Sequence, residues 1–181
     1  MKTQEELMNR RDFIKVNMKS SFRFLAEFVN SAYEEDSTII RPPGAEWSFL
    51  SACTRCGKCK DVCPQSIIKL FNEKGGTAYA FTPYIDLTVN PCTMCGKCTE
   101  VCPTDALTGE NGQELAKVTF HSHHCLTYEG VLCDSCIRKC PEKALSLDKT
   151  GRLELNQELC NGCAVCHHAC IQSVSPFSFH P

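Results

Sequence analysis

Apolar residues near the N-terminus recur at intervals of three or four positions, which is the spacing of one face of an α-helix. Later in the chain the pattern changes to two short runs, residues 144–147 and 152–155, on either side of a turn at residues 149–151. These runs predict a hairpin of two short strands, whereas the N-terminal stripe predicts an amphipathic helix. The stripe comprises Ile14, Met18, Phe22, Leu25, Val29 and Ala32.

Hydrophobic side chains alone give this chain a thin core. The apolar fraction of 43% counts sixteen cysteines, and without them it falls to roughly a third, which is little to offset the entropy lost on folding. The formal net charge is −2 and there is no basic stripe, so no nucleic-acid partner is expected. No apolar run approaches the ~18 residues of a transmembrane helix. Something besides side-chain burial is therefore expected to hold the fold together.

The cysteines form four groups with a regular spacing. In the first and second groups it is C-x2-C-x2-C-x3-C-P, the run found in bacterial ferredoxins. The fourth group has the same spacing but carries Ile171 in place of the proline, and the third group has its first cysteine five residues too far upstream. The groups are Cys53, Cys56, Cys59 and Cys63; Cys92, Cys95, Cys98 and Cys102; Cys125, Cys133, Cys136 and Cys140; and Cys160, Cys163, Cys166 and Cys170.

This spacing suits a cubic 4Fe–4S cluster, which needs four thiolates. Three closely spaced cysteines let a tight loop wrap one face of the cluster, and Gly57 and Gly96, each after a second cysteine, tolerate the backbone angles of such a loop. In two-cluster ferredoxins the fourth cysteine binds the neighbouring cluster, so the metal links the two halves of the fold. The sequence thus predicts four 4Fe–4S clusters with all sixteen cysteines as ligands.

Other uses of the cysteines fit the spacing less well. Structural zinc sites use paired C-x2-C units separated by a longer loop, and disulfides do not require this regular spacing. Residues 163–167, "CAVCH", match the attachment pattern of c-type haem, but the cluster spacing already uses both cysteines. His123 and His124, next to Cys125, could replace a thiolate as in Rieske centres; we favour Cys125 as the ligand.

The repeats predict the domain organisation. The segment between the first two groups has the same plan as the predicted hairpin, with a longer linker at Gly75 and Gly76. We therefore expect an α+β fold with an N-terminal amphipathic helix and a Pro-containing linker (residues 1–45) and two bacterial-ferredoxin-like modules of two 4Fe–4S clusters each (residues 46–110 and 111–181).

Sequential pairing of the groups is favoured, because the step from Cys136 to Cys166 fits a compact pair, but nested pairing of groups one with four and two with three stays open. Sequential pairing would give the following ligand sets: Cys53, Cys56, Cys59 and Cys102; Cys92, Cys95, Cys98 and Cys63; Cys125, Cys133, Cys136 and Cys170; Cys160, Cys163, Cys166 and Cys140.

Residues 10–15, "RRDFIK", resemble a twin-arginine export signal. A working signal continues with an uncharged apolar region and a small-residue cleavage site, but Lys19, Arg23 and Glu27 interrupt the next stretch. We therefore expect these residues to begin a helix and the protein to be cytoplasmic, with a periplasmic location as the alternative if the signal is functional.

Two segments resemble a known family. Residues 39–59, "IIRPPGAEWSFLSACTRCGKC", and residues 125–141, "CLTYEGVLCDSCIRKCP", are similar to parts of the ferredoxin-type accessory proteins of periplasmic nitrate reductase and of methylamine utilisation. The resemblance implies a four-cluster electron carrier, with no substrate site of its own, that serves a larger oxidoreductase of the molybdenum or tungsten class. The alternative is a maturation chaperone for such an enzyme. The N-terminal helix and the tail "IQSVSPFSFHP" (residues 171–181) either fold back on the modules or dock on that partner.

Overall fold

The computed structural model describes residues 39–73, 79–108 and 114–181, within a compact unit that runs from Thr38 to Pro181. All of its described helices and strands are short, and the strands pair only in antiparallel fashion, which fits the mixed helix and strand content of an α+β fold. The helices are α1 (Phe49–Ala52), α2 (Lys58–Val62), α3 (Lys97–Glu100), α4 (Ser135–Lys139) and α5 (Val165–Ala169). The strands are β1 (Ile68–Leu70), β2 (Pro83–Ile85), β3 (Lys117–Phe120), β4 (Leu145–Leu147), β5 (Leu153–Leu155) and β6 (Phe177–His180).

Helices α2 to α5 occupy the same place in the four cysteine groups. Each contains the third cysteine of its group and ends before the fourth. Helices of four or five residues have little stability of their own in water. These helices therefore depend on contacts with the residues packed around the cysteines. Each helix fixes the distance between the third and the fourth cysteine of its group.

The strands form three antiparallel pairs. β4 and β5 make the predicted hairpin, each strand one residue shorter than expected, with Leu145 opposite Leu155. The Asp148 carboxylate closes its turn by accepting hydrogen bonds from the backbone N–H groups of Thr150 and Arg152, both at 2.8 Å. β1 and β2 follow the same plan between the first two cysteine groups, as the repeat predicted.

The C-terminal tail folds back on the chain. β6 pairs with β3, which places Phe177 opposite Phe120. Phe177 is buried, whereas Ile171 and Val174, earlier in the tail, are exposed. The pairing of β6 with β3 buries Phe177, whereas the apolar side chains at the start of the tail stay exposed to solvent.

Two clusters of buried side chains form the core. The first lies between the first two cysteine groups and includes Phe49, Ile68 and Leu107. The second includes Val118, Leu153 and Phe177 and lies between the last two groups. Cysteines pack at the edges of both clusters, as expected for a chain with few other apolar side chains.

Several predictions concern residues outside the described part. The amphipathic helix at residues 14–32 and the "RRDFIK" stretch both lie there, as does the expected boundary between modules at residues 110 and 111. Within residues 39–73, 79–108 and 114–181, no helix has the length and apolar character needed to cross a membrane.

Candidate iron–sulfur centres

Four cavities in the described part of the chain are each lined by four cysteines. Their volumes are similar, between about 330 and 370 Å³. We call them sites A to D. Site A is lined by Cys53, Cys56, Cys59 and Cys102; site B by Cys63, Cys92, Cys95 and Cys98; site C by Cys125, Cys133, Cys136 and Cys170; and site D by Cys140, Cys160, Cys163 and Cys166.

Each site combines the first three cysteines of one group with the last cysteine of its neighbour. The structure thus brings together the four sets that sequential pairing requires. Nested pairing would need cysteines of the first and fourth groups in one cavity, but those groups line different cavities. The role of these cysteines as ligands stays a prediction.

The loops of groups one, two and four share an unusual backbone. In each, the residues immediately before and after the second cysteine have positive φ angles, which turn successive N–H groups toward one side of the loop and form an anion-binding concavity. Sequence reasoning identified the glycines in the first two loops but missed the non-glycine residues, for which this conformation costs about 1–2 kcal/mol each. The pairs are Arg55 and Gly57, Met94 and Gly96, and Gly162 and Ala164.

The loop of group three reaches its site by a different path. It has no positive φ angle between Cys133 and Cys136. Instead, Cys125 lies between two 3-10 turns, Ser122–His124 and Leu126–Glu129. The inserted residues after Cys125 therefore form a turn of their own and leave Cys125 buried at site C.

Thr127 stabilises this path, and sequence reasoning did not identify it. Its hydroxyl oxygen lies 3.2 Å from Cys125 Sγ and accepts a hydrogen bond from the backbone N–H of Leu153 at 3.1 Å. The only feature of the sequence that could have predicted this contact is a threonine two residues after the displaced Cys125. The hydroxyl connects the cysteine to strand β5.

Backbone N–H groups also donate to cysteine sulfurs. The N–H of Met94 lies 3.4 Å from Cys92 Sγ, and that of Ala144 lies 3.3 Å from Cys140 Sγ. Hydrogen bonds of this kind stabilise thiolates and tune the reduction potential of an iron–sulfur cluster. They therefore suit sulfur ligands that carry negative charge.

Burial disfavours the ionisation of several site thiols by raising their pKa. It raises the pKa of Cys59, Cys92 and Cys136 to about 11 and also raises that of Cys166. Cys56 is shifted in the opposite direction, because a hydrogen bond from the backbone N–H of Lys58 lowers its pKa. Buried thiols become thiolates when a cation replaces the proton, and thiolates are the soft ligands that iron–sulfur clusters require. The donor set fits a 4Fe–4S cluster in each cavity.

The histidines stay outside the cavity linings. The rings of His123 and His124 contact each other in a tilted arrangement, with centroids 4.0 Å apart, and Cys125, not either histidine, lines site C. In the "CAVCH" stretch, Cys163 and Cys166 both line site D. Among the described residues, no three or more His, Cys, Asp or Glu side chains converge on the position of a single metal ion. The four sulfurs of each site enclose a volume and do not meet at one point.

Comparison with known proteins agrees with this geometry. A family model described as a 4Fe-4S dicluster domain matches residues 52–106, the part of the chain that contains sites A and B. Residues 52–106 therefore have the sequence of a 4Fe–4S dicluster domain.

The relatives define the family more closely. The methylamine utilization ferredoxin-type protein MauM of Methylorubrum extorquens is 33% identical over 81% of this chain and 74% of its own length. The ferredoxin-type protein NapG of Escherichia coli is 35% identical over 73% of this chain and 66% of its own length. The chain belongs to this family of ferredoxin-type iron–sulfur proteins, as the resemblance of residues 39–59 and 125–141 predicted.

A solved structure also matches in part. It is a chain of a formate dehydrogenase–heterodisulfide reductase–formylmethanofuran dehydrogenase complex from Methanospirillum hungatei, 23% identical, with a TM-score of 0.27 over 68% of this chain and 46% of that chain. A similarity at this level supports no inference about arrangement or partner.

Proposed function

We propose that the chain is an electron-transfer polyferredoxin that binds four 4Fe–4S clusters, one in each of sites A to D. The observation that carries this proposal is the set of four cavities, each with three cysteines from one group and the fourth from its neighbour. The dicluster domain supports a pair of clusters at sites A and B. The extension to sites C and D rests on their equivalent linings.

The residues around each site have separable tasks. When bound, each 4Fe–4S cluster accepts and returns one electron. The cysteines would hold the iron, and the N–H groups of Met94 and Ala144 would offset the negative charge of the sulfurs they contact. Apolar side chains such as Phe49 and Leu107 at site A limit the access of water. Solvent exposure and hydrogen bonding to sulfur are two of the factors that set the potential.

Metal analysis tests the cluster number. The protein purified without air is expected to contain about sixteen iron atoms and a similar amount of sulfide, as four 4Fe–4S clusters require. Its broad visible absorbance should bleach with dithionite. A result of one zinc per cysteine group without iron would disprove the proposal, and about eight iron atoms would restrict it to one pair of sites.

We further propose that the chain transfers electrons to or from a larger oxidoreductase of the molybdenum or tungsten class and has no substrate site of its own. The support is the resemblance of residues 39–59 and 125–141 to the accessory proteins of periplasmic nitrate reductase, together with the similarity to the ferredoxin-type protein NapG. The test is a gentle anaerobic pull-down from the native host. Stoichiometric recovery with a redox enzyme whose turnover stops when residues 1–35 are deleted supports an electron-transfer subunit. Association only with the cofactor-free enzyme would instead favour a maturation chaperone.

The location of the protein is part of the proposal. Because charged residues interrupt the stretch after "RRDFIK", we propose that the chain stays in the cytoplasm. Fractionation of the native host should find it there with Met1 intact. A shortened form outside the cytoplasmic membrane would show that the twin arginines are a functional export signal.

A further inference from the structure

Within each pair, short helices connect neighbouring sites. Helix α2 leads from Cys59 at site A to Cys63 at site B, and α3 leads from Cys98 at site B back to the segment before Cys102 at site A. At 1.5 Å per residue, a helical step of four residues spans about 6 Å. Helices α4 and α5 connect sites C and D in the same way. Sites A and B are therefore adjacent, and so are sites C and D.

One contact joins the two pairs directly through their cysteine loops. The backbone N–H of Cys92, which lines site B, donates to the carbonyl oxygen of Cys163, which lines site D, at 2.8 Å. This bond brings the loop of group two against the loop of group four.

Two neighbours of Cys163 strengthen the same junction. Ala164 is buried in the first core cluster, although Cys160 and Cys166 of the same loop pack against the second. The His168 imidazole lies 2.8 Å from the carbonyl oxygen of Leu87, shortly before group two. The loop of group four thus contacts both core clusters.

From these contacts we infer that the four sites lie in the spatial order A, B, D, C, with B and D as the inner pair. The order in space therefore differs from the order in sequence. This inference rests on the proposed function only in assuming that the sites hold clusters. It makes A and C the outer sites, at which electrons enter and leave.

The exposure of side chains distinguishes site D from the outer sites, although it does not distinguish site B, where Cys95 is exposed. At site A, the Cys56 thiol is exposed. At site C, Leu132, next to Cys133, is 89% exposed, and Ile171, next to Cys170, is 68% exposed. At site D, by contrast, Cys163 and Ala164 are buried at the junction. Site D is therefore covered where the loops of groups two and four meet, whereas sites A and C have exposed side chains at their edges.

Electron paramagnetic resonance of two matched double variants tests the order. C56A/C133A removes one ligand from each outer site, and C95A/C160A removes one from each inner site; each pair alters one exposed and one half-buried cysteine. Magnetic coupling between reduced clusters falls steeply with distance. The outer variant should therefore keep a split or broadened spectrum from sites B and D, and the inner variant should give two uncoupled spectra from A and C. Coupling only in the inner variant would overturn the order.

A measurement on the unaltered protein covers the case in which a variant fails to fold. Hydrogen–deuterium exchange of the cluster-loaded chain, resolved to single residues, should show a slowly exchanging amide at Cys92. Exchange of that amide as fast as that of exposed loop amides would remove the junction and the inferred order with it. The iron content of the same sample separates the two proposals, because about sixteen iron atoms with an unprotected Cys92 would leave the proposed function intact.

Discussion

The loops of groups three and four serve the same half of the molecule but are built differently. The loop of group four is regular in sequence, carries two positive φ angles at Gly162 and Ala164 and is buried against other parts of the chain. The loop of group three has an insertion, and its inserted residues Val131 and Leu132 are exposed. Both loops nevertheless place three cysteines around a cavity of similar volume.

The difference shows that a four-cysteine site can be specified in two ways. At site D the backbone conformation of the loop positions the thiols, and contacts with both core clusters hold that conformation. At site C a side chain, Thr127, connects the displaced cysteine to a strand. We therefore expect site D to be sensitive to changes in backbone shape and site C to be sensitive to loss of one hydroxyl.

The largest effect is expected for Gly162→Ala. A Cβ atom at this position would lie 2.6 Å from the backbone nitrogen of Ala116 and closer still to its carbonyl oxygen. Because backbone cannot move aside cheaply, the free energy of unfolding should fall by roughly 3 kcal/mol or more. Anaerobic denaturant unfolding, together with the iron content, measures this loss.

The matched control for Gly162→Ala is Gly130→Ala in the group-three loop. Gly130 has a similar φ angle of 80°, but nothing lies within 4 Å of its added Cβ atom. It should therefore show only the cost of the left-handed conformation, about 1–2 kcal/mol. Equal losses in the two variants would show that the contact with Ala116 is not tight.

Removal of Cys125 should affect one site only. Cys125→Ser is expected to remove or convert the cluster at site C and leave the other three, because Cys125 lines that cavity alone among the four. Iron content and the reduced resonance spectrum measure the change. His123→Ala and His124→Ala are the controls and should keep the full iron content; loss of a cluster in either, with no change in Cys125→Ser, would move the ligand to histidine.

A smaller effect is expected for Thr127→Val. The variant removes the hydroxyl near Cys125 Sγ and leaves the N–H of Leu153 without its acceptor, a loss of about 1–3 kcal/mol. The potential of site C should become more negative, because a hydrogen bond to sulfur stabilises the additional negative charge of the reduced cluster.

Thr104→Val provides the comparison for Thr127→Val at site A. Its hydroxyl is farther from sulfur, 3.7 Å from Cys102 Sγ, and its hydrogen bond from the N–H of Ala106 is long, at 3.4 Å. Redox titration of both variants should show the larger shift for Thr127→Val. A larger shift for Thr104→Val would contradict the role given to Thr127.

The smallest effect is expected for Leu132→Ser. Leu132 is almost fully exposed in the group-three loop, so the free energy of unfolding should change by no more than about 0.5 kcal/mol. A thermal unfolding midpoint that stays near that of the parent protein is the expected result. A large decrease would show that the inserted residues pack against the chain after all.

The sequence predicts the local parts of this molecule well and the long-range contacts poorly. The hairpin of β4 and β5 and the placement of three cysteines of one group around a site follow from spacing, because spacing acts over a few residues. The fourth cysteine of each site comes from a neighbouring group, and spacing favoured that pairing without excluding the nested one. The positive φ angles at Arg55, Met94 and Ala164 could not be predicted, since these residues ordinarily avoid that conformation. The backbone hydrogen bond from Cys92 to Cys163 joins residues far apart in sequence. No local sequence pattern predicts which cysteine loops contact each other. The spatial order of the sites therefore needed the structure.

The exchange of the fourth cysteine between neighbours has a consequence for how the chain folds. The segment between Cys63 and Cys92, both at site B, lies wholly inside the longer segment between Cys53 and Cys102, both at site A. Linking the ends of a loop of roughly 50 residues removes about 4 kcal/mol of chain entropy from the unfolded state. Closing the inner loop first shortens the free chain that the outer loop must still close, which lowers the remaining entropic cost by about 0.6 kcal/mol for each halving of length. The nesting therefore favours an order of assembly in which site B fills before site A, and, by the same topology in the other half, site D before site C.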